Sequence, residues 1–211
     1  MRQEAGRGRR GRSWLSDAGN LACTLLLRPG GTPQRAAELS FVTALAVGEA
    51  VDGLVAGAPK LKWPNDVLVD GAKVAGILLE SESDIDGSVA WVAVGMGMNV
   101  RHHPEGMDYP TTSLMALGAD VEPDAVMAAY ARAFDRWYRR WQDYGFAPVR
   151  AAWMNAAQGL GGPVTVRLHD RTLQGHLVDL DAEGALLVET AEGVTKVTAG
   201  DVFFPTTPVR E

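Results

Sequence analysis

The sequence has almost no cysteine. Cys23 is the only one in 211 residues, so neither an internal disulfide nor a cysteine-based zinc site can form, and a reducing compartment such as the cytoplasm is expected. Apolar runs long enough to span a membrane, about 20 residues, are also lacking, and the residues after Met1 are unlike a secretory signal. The chain is therefore predicted to be soluble and cytoplasmic, without contact with a membrane.

Basic residues are too few for a protein that coats nucleic acid. Lysine and arginine total 20 against 26 acidic residues, a net charge of -6, whereas such proteins present a broad basic face. The charge is nonetheless uneven, because only Glu4 opposes a cluster of arginines near the start: Arg2, Arg7, Arg9, Arg10 and Arg12. This local site predicts binding of a small anion, and no DNA binding is expected.

Periodicity divides residues 1–158 into a loop, strands and helices. The glycine-rich start lacks apolar periodicity and is interpreted as a loop, and Thr32 followed by Pro33 predicts a helix that runs to about residue 55. Pro123 starts a second helix, whose aromatic residues recur on one face and are interpreted as core. Short apolar runs predict strands at 21–27, 61–63, 67–69, 74–79 and 89–94, with a hairpin turn at Asp70-Gly71.

The composition changes at residues 158–163, a glycine-rich stretch that we interpret as a linker. Beyond it, short alternating apolar runs separated by turn residues predict several strands in a small barrel. We therefore predict two domains, 1–158 and 159–211. The fold class is predicted to be α+β, a mixed sheet packed by helices and followed by a small C-terminal β-barrel.

Two segments of the first domain carry polar groups in an unusual arrangement. In residues 6–12, GRGRRGR, glycines let the backbone approach a ligand while guanidinium groups donate to carboxylate or phosphate oxygens. A disordered segment that binds RNA has a similar composition. Residues 62–66, KWPND, place a cation, a proline turn, an amide and a carboxylate between two strands. That density indicates a site, although a solvated hairpin turn would also explain Pro64-Asn65-Asp66.

Two further segments lie at strand ends. Lys73 begins the apolar run KVAGIL, where a lysine is most often only a solvated residue. Residues 95–100, GMGMNV, carry glycine at alternate positions, which leaves room for a flat or phosphate-bearing ligand. They are not a dinucleotide-binding fingerprint, because the third glycine and the following helix are lacking. A hairpin at Asp70-Gly71 would bring Asn65 and Lys73 close together.

Taken in order, the four segments resemble the biotin protein ligase family: a GRGRRGRxW loop, KWPND, KxAGIL and a GxGxN strand end. The resemblance covers nearly the whole chain and implies a class II synthetase-like catalytic domain with a C-terminal SH3-like barrel. It also implies an ATP-dependent ligase that converts biotin to biotinyl-5'-AMP and then transfers biotin to a lysine of a biotin carboxyl carrier protein, such as that of acetyl-CoA carboxylase. A homodimer is compatible with the resemblance.

The resemblance also implies roles for individual residues. Biotin is expected to contact Gln3, Arg7, Gly8, Arg9 and Lys73. ATP is expected to contact Arg12, Trp14, Lys62, Asn65, Gly97 and Asn99. The expected catalytic residues are Lys73 and Arg9, as cations where negative charge concentrates, and Asp66, which would orient the acceptor amine. Mg²⁺ is expected to be bound mainly through the ATP phosphates, without a metal site made of side chains.

The start of the chain departs from the family. The catalytic domain of the family has a strand and a Ser-Thr-Asn segment before the arginine loop, and its repressor-type members add a DNA-binding domain, whereas here only residues 1–5 precede Gly6. We therefore expect an N-terminally shortened ligase with an open edge in its central sheet. Two other functions stay open: a lipoate-type acyl ligase of the same fold group, and a non-enzymatic nucleic-acid-binding protein that uses the Arg/Gly N-terminus.

Overall fold

A computed structural model describes residues 3–205, so residues 1–2 and 206–211, which include Arg2 and the end of the predicted second domain, lie outside the described residues. The first of two five-stranded sheets has the spatial order β1-β5-β4-β3-β2. Its strands are β1 (Leu21–Leu27), β2 (Lys60–Lys62), β3 (Asp66–Val69), β4 (Ala72–Ser83) and β5 (Val89–Met98). The helices are α1 (Pro33–Ala37), α2 (Leu39–Asp52), α3 (Pro123–Tyr144) and α4 (Phe146–Asn155).

The α+β class is confirmed, but the expectation of mixed strand directions in the first sheet is corrected. Every ladder between its named strands is antiparallel. The reason is connectivity: β2 to β5 follow one another through short connections, which reverse the chain direction. Asp70 and Gly71 have φ angles of 49° and 78°, as a tight hairpin turn demands, so the predicted turn between β3 and β4 is confirmed.

The helices cover one face of the first sheet. The helix expected over residues 33–55 is divided into α1 and α2 at Glu38, and the side chain of Thr32 caps α1 by accepting a hydrogen bond from the Arg35 amide at 3.3 Å. α2 is buried on nearly all sides because it lies between the sheet and the helices α3 and α4. The aromatic face of α3 is core, as predicted, with Tyr130 and Trp141 fully buried.

The second sheet is a separate antiparallel unit of the C-terminal part, and it is consistent with the expected SH3-like barrel. Its strands are β6 (Pro163–Arg167), β7 (Thr172–Leu180), β8 (Leu186–Thr190), β9 (Gly193–Val197) and β10 (Asp201–Phe203), in the order β10-β6-β7-β8-β9. The contacts that join it to the rest of the chain include the buried hydrogen bond from Trp63 Nε1 to the Gly184 carbonyl oxygen, 3.0 Å long. β10 lies beside the N-terminal loop, where Asp201 pairs with Arg10 and Arg12.

Two further features concern the edges of the first sheet and the length of the helices. Within residues 3–205, β1 pairs only with β5 and β2 only with β3 among the named strands, so these two strands are the edges of the first sheet. In the same range, no helix is both long enough and apolar enough to cross a membrane.

Candidate active site

A cavity of about 460 Å³ lies on the face of the first sheet that the helices leave free. Successive side chains of a strand point to opposite faces, so alternate residues of three strands form its floor. The strand register places Ala22, Gly97 and Gly76 side by side across β1, β5 and β4. Thr24, Gly95 and Leu78 form the next row. The small residues of the first row, together with Gly95, leave space above the floor for a ring.

Trp14 lies directly on this floor. A Cβ added at Gly97 would overlap the Trp14 indole, and one added at Gly76 would come within 3.1 Å of it. The loop that carries Trp14 folds back on itself, because the Trp14 amide donates to the Gly6 carbonyl oxygen at 2.9 Å. A Cβ at Gly6 would overlap the Trp14 backbone, so this close approach requires glycine. The Arg/Gly segment therefore forms a lid over the cavity.

The arginines of this lid point toward partners within the protein. Arg9 Nη1 donates to Asn65 Oδ1 in a long hydrogen bond of 3.5 Å, and Asn65 Nδ2 donates to the Ile77 carbonyl oxygen at 2.6 Å. Burial lowers the pKa of the Arg9 guanidinium, and the nearby carboxylate of Asp201 opposes that effect. Arg12 forms an ion pair with Asp201 at 3.0 Å. The lid thus brings several cations over a partly desolvated site.

The remaining predicted lid residues also line the cavity: Gln3, Arg7 and Gly8. Two backbone hydrogen bonds hold this loop in place. The Gln3 amide donates to the Ser16 carbonyl oxygen at 3.3 Å, and the Gly8 amide donates to the Arg12 carbonyl oxygen at 2.7 Å.

Lys73 forms an ion pair with Asp66 in the wall of the cavity. Its Nζ lies 2.6 Å from Asp66 Oδ1, and the two side chains are only 14% and 18% exposed. The rings of Trp14 and Tyr109 flank the same ammonium, with centroids 5.6 and 5.5 Å away, in cation–π geometry. The β3–β4 hairpin was expected to bring Asn65 toward Lys73, and both line the cavity, but the direct partner is Asp66.

Lys62 is a second lysine in the wall of the cavity. Burial lowers the pKa of its ammonium, while the carboxylate of Asp66 acts in the opposite direction. Its Nζ lies 5.7 Å from the ring centroid of Phe203, a residue of the second sheet. Desolvated cations interact strongly with an incoming anion, because little water has to be displaced from them.

Asn99 is the one predicted site residue that does not line the cavity. It is 2% exposed, and its Nδ2 donates to the Thr112 carbonyl oxygen at 3.0 Å. Among the described residues, its Oδ1 is buried without a hydrogen-bond partner. In the structure the Asn99 side chain therefore contacts the Thr112 backbone outside the cavity. A contact between Asn99 and ATP stays a prediction.

The cavity also contains residues that were not predicted as site residues. Among them are Gly76 in the floor, Tyr109 beside Lys73, and Asp201 and Phe203 from β10. Gly76 lies within the KxAGIL segment, but its place in the floor follows from its pairing with Gly97 of β5. Asp201 and Phe203 carry no local signal, because their partners Arg12 and Lys62 are distant in the sequence.

Some chemistry does not fit the arrangement. Burial raises the pKa of the Cys23 thiol to about 11, so it stays protonated near neutral pH and is a poor nucleophile. Within residues 3–205, no group of three or more His, Cys, Asp or Glu side chains is placed to hold a metal ion. What the cavity offers is a floor with space for a ring and several cations for carboxylate or phosphate oxygens.

Comparisons with known proteins agree with this geometry. Residues 12–155 match the Biotin/lipoate A/B protein ligase family, and residues 159–204 match the biotin protein ligase C terminal domain. A biotin–[acetyl-CoA-carboxylase] ligase of Paracoccus denitrificans is 44% identical over 211 residues, which cover 96% of this chain and 87% of that protein. A bifunctional ligase/repressor of Bacillus subtilis is 34% identical over 207 residues, 95% of this chain and 63% of its own length.

A solved structure gives the same result. The biotin protein ligase from Aquifex aeolicus in complex with biotin and ATP superposes on this chain with a TM-score of 0.81 at 30% sequence identity. The match covers 96% of this chain and 85% of that one.

Proposed function

Because this chain belongs to the biotin/lipoate A/B protein ligase family, we propose that it is an ATP-dependent biotin protein ligase of the cytoplasm. It activates biotin as biotinyl-5'-AMP and transfers biotin to a lysine of a carrier protein. The observation that carries the proposal is the convergence of Arg9, Arg12 and Lys73 on one cavity whose floor leaves space for a ring. Residues 1–158 form the ligase domain and residues 159–211 the small β domain.

In the first step, an oxygen of the biotin carboxylate attacks the α-phosphorus of ATP. A carboxyl O–P bond forms, the bond from the α-phosphorus to the bridging oxygen breaks, and pyrophosphate leaves. Two anions must approach each other, so fixed cations at the reacting oxygens lower the barrier. Arg9, Arg12 and Lys73 supply those cations, and Lys62 meets the phosphates at the wall of the cavity.

Lys73 can serve this step because its ammonium has three donors. In the free protein one of them is used by Asp66 at 2.6 Å. The other donors are available to the biotin carboxylate and an α-phosphate oxygen. Asp66 then keeps the Lys73 ammonium aimed into the cavity while the substrates bind.

In the second step, the neutral amine of the carrier lysine attacks the acyl carbon of the adenylate. A C–N bond forms, the C–O bond to AMP breaks, and the amine loses a proton. Asp66 lies in the cavity wall and has a second carboxylate oxygen besides the one that contacts Lys73. The role proposed for Asp66 is to orient the amine and to accept that proton. The acceptor is the biotin carboxyl carrier protein of a carboxylase, and a homodimer is compatible with this reaction.

The lid protects the intermediate between the two steps. An acyl-adenylate is easily hydrolysed, so a segment that covers it and excludes water has a clear use. Trp14 must leave the Gly97–Gly76 floor when a biotin ring enters, and the indole is then free to contact the adenine. Mg²⁺ would be held mainly through the phosphates of ATP and would reduce the charge on the departing pyrophosphate.

The two alternatives are less well supported. A lipoate-type ligase would use the same lysine chemistry, but the match of residues 159–204 to the biotin protein ligase C terminal domain favours biotin. A nucleic-acid-binding role would need guanidinium groups that are free for phosphates, whereas Arg9 donates to Asn65 and Arg12 donates to Asp201.

A transfer assay tests the proposal. The purified chain is incubated with ATP, a carrier domain and either biotin or lipoate, and the mass of the carrier is measured. We expect biotin, and not lipoate, to be attached to the carrier, and the reaction to be lost with Lys73→Met. Attachment of lipoate alone would assign the lipoate function, and retention of activity by Lys73→Met would remove Lys73 from the reaction.

A further inference from the structure

The second sheet reaches into the lid through a single carboxylate. Asp201, at the start of β10, accepts from Arg10 Nη1 at 3.0 Å with one oxygen and from Arg12 Nη2 at 3.0 Å with the other. We propose that Asp201 is a positioning residue that ties the lid to the second sheet and so holds Arg12 over the cavity before ATP binds. The role of Arg12 toward ATP, and only that, rests on the proposed function.

Asp201 belongs to strand β10 and is held there by the backbone pairing of that strand. Its backbone pairs with Arg167 of β6, and its side chain is only 21% exposed. An isolated exposed ion pair contributes little to stability. Here one half-buried carboxylate joins two guanidinium groups, and the Arg12 Nε also donates to the Arg9 carbonyl oxygen at 3.3 Å. The group therefore behaves as a network with a fixed anchor.

The lid backbone adopts an unfavourable conformation at Arg10, next to the contact with Asp201. Arg10 has a φ of 56°, a left-handed conformation that a residue with a side chain rarely adopts. This conformation directs the Arg10 side chain to Asp201. Backbone hydrogen bonds from the Gly8 amide to the Arg12 carbonyl oxygen and from the Arg12 amide to the Arg9 carbonyl oxygen hold this turn, and the ion pair with Asp201 is the contact that ties it to the second sheet.

The charges of the lid require a neutralising group. Arg9, Arg10 and Arg12 lie within one short turn, and both neighbours act to lower the pKa of the Arg9 guanidinium in addition to burial, while Asp201 acts to raise it. Without Asp201 these three cations would repel one another, and the lid would open. ATP would then have to close the lid at the expense of its own binding energy.

Hydrogen exchange tests the tie without any substrate. The amides of Gly8, Arg12 and Trp14 form the hydrogen bonds that close the lid, and their exchange is followed by mass spectrometry of an N-terminal peptide. With Asp201→Asn we expect exchange about three- to tenfold faster at these amides, and Asp201→Glu should restore part of the protection. Sodium chloride should accelerate exchange in the natural sequence but not in Asp201→Asn, since only the former has an ion pair to screen.

Asp170→Asn is the matched control, because this exposed aspartate lies on the same sheet between β6 and β7 and forms no ion pair among the described residues. It should exchange like the natural sequence. Arg10→Gln removes one of the two ion pairs from the lid side without touching β10, and it should reproduce part of the effect of Asp201→Asn. Unchanged exchange in both variants, or equal acceleration in Asp170→Asn, would overturn the proposal.

The kinetic consequence is measured separately. In a biotin-dependent pyrophosphate-release assay, Asp201→Asn should raise the KM for ATP about three- to tenfold and leave kcat within about twofold, because the cations that act in the transition state are still present. Loss of kcat with an unchanged KM for ATP would contradict positioning. Absence of any activity in the natural sequence would refute the ligase proposal and leave the exchange result standing.

Discussion

Replacing Lys73 with methionine should separate what its ammonium contributes to folding from what it contributes to the reaction. The ammonium lies 2.6 Å from Asp66 Oδ1, and both side chains are mostly buried. Methionine keeps most of the side-chain volume but leaves the Asp66 carboxylate without its cation. Removal of one partner from a buried ion pair typically costs about 3–5 kcal/mol, and because some solvent reaches this pair, we expect about 2–3 kcal/mol of lost stability.

The double variant Asp66→Asn/Lys73→Met provides the control. Because no charge is then left unpaired, most of the lost stability should return, as measured by urea unfolding of both variants. Biotinyl-adenylate formation should stay about 30- to 1,000-fold reduced in both, the effect of removing about 2–4 kcal/mol of transition-state stabilisation. If the double variant recovered both stability and adenylate formation, Lys73 would be a structural residue only. If Lys73→Met did not lose stability, the ion pair would not be formed in solution.

Three further outcomes follow from other contacts. Gly97→Ala should lower stability by about 1–3 kcal/mol through overlap with the Trp14 indole, and urea unfolding should show this cost disappearing in a Trp14→Ala background. Because burial lowers the Lys62 pKa, kcat/KM for ATP in the adenylation step should fall with rising pH below the ordinary lysine value of 10.5. Lys62→Arg should move this fall in kcat/KM to higher pH. If the fall stays at the same pH, another group is responsible for it. Trp63→Phe removes the donor to the Gly184 carbonyl oxygen and should cost about 1–3 kcal/mol in thermal unfolding, whereas no change would mean that water satisfies this oxygen.

The strands and turns of the first sheet could be predicted because their signals are local. The alternation in β4 and β5 and the Asp70-Gly71 pair specify strand and hairpin within a few residues. The break between α1 and α2 could not be predicted from such signals. Glu38 lies at that break, and its carboxylate accepts from the Trp141 indole at 2.6 Å, a tertiary contact that connects positions 103 residues apart.

The same distinction applies to the site. KWPND and the Lys73 segment are contiguous, so their chemistry is visible in the sequence, and their residues meet in one cavity. The family resemblance implied a contact between Asn99 and ATP. β5 ends at Met98, however, so the alternation stops and the Asn99 side chain turns toward Thr112. Asp201 could not be found from the sequence, because its partner Arg12 is 189 residues away.

Exchange of radioactive pyrophosphate into ATP tests the central claim most directly, because it reports formation of the acyl-adenylate without a carrier protein. With the purified chain, exchange should depend on biotin, fail with lipoate and fall with Lys73→Met and Arg9→Gln. A chain that keeps its folded spectrum and binds biotin, yet shows no biotin-dependent exchange, would contradict the account that these cations act on an acyl phosphate in this cavity.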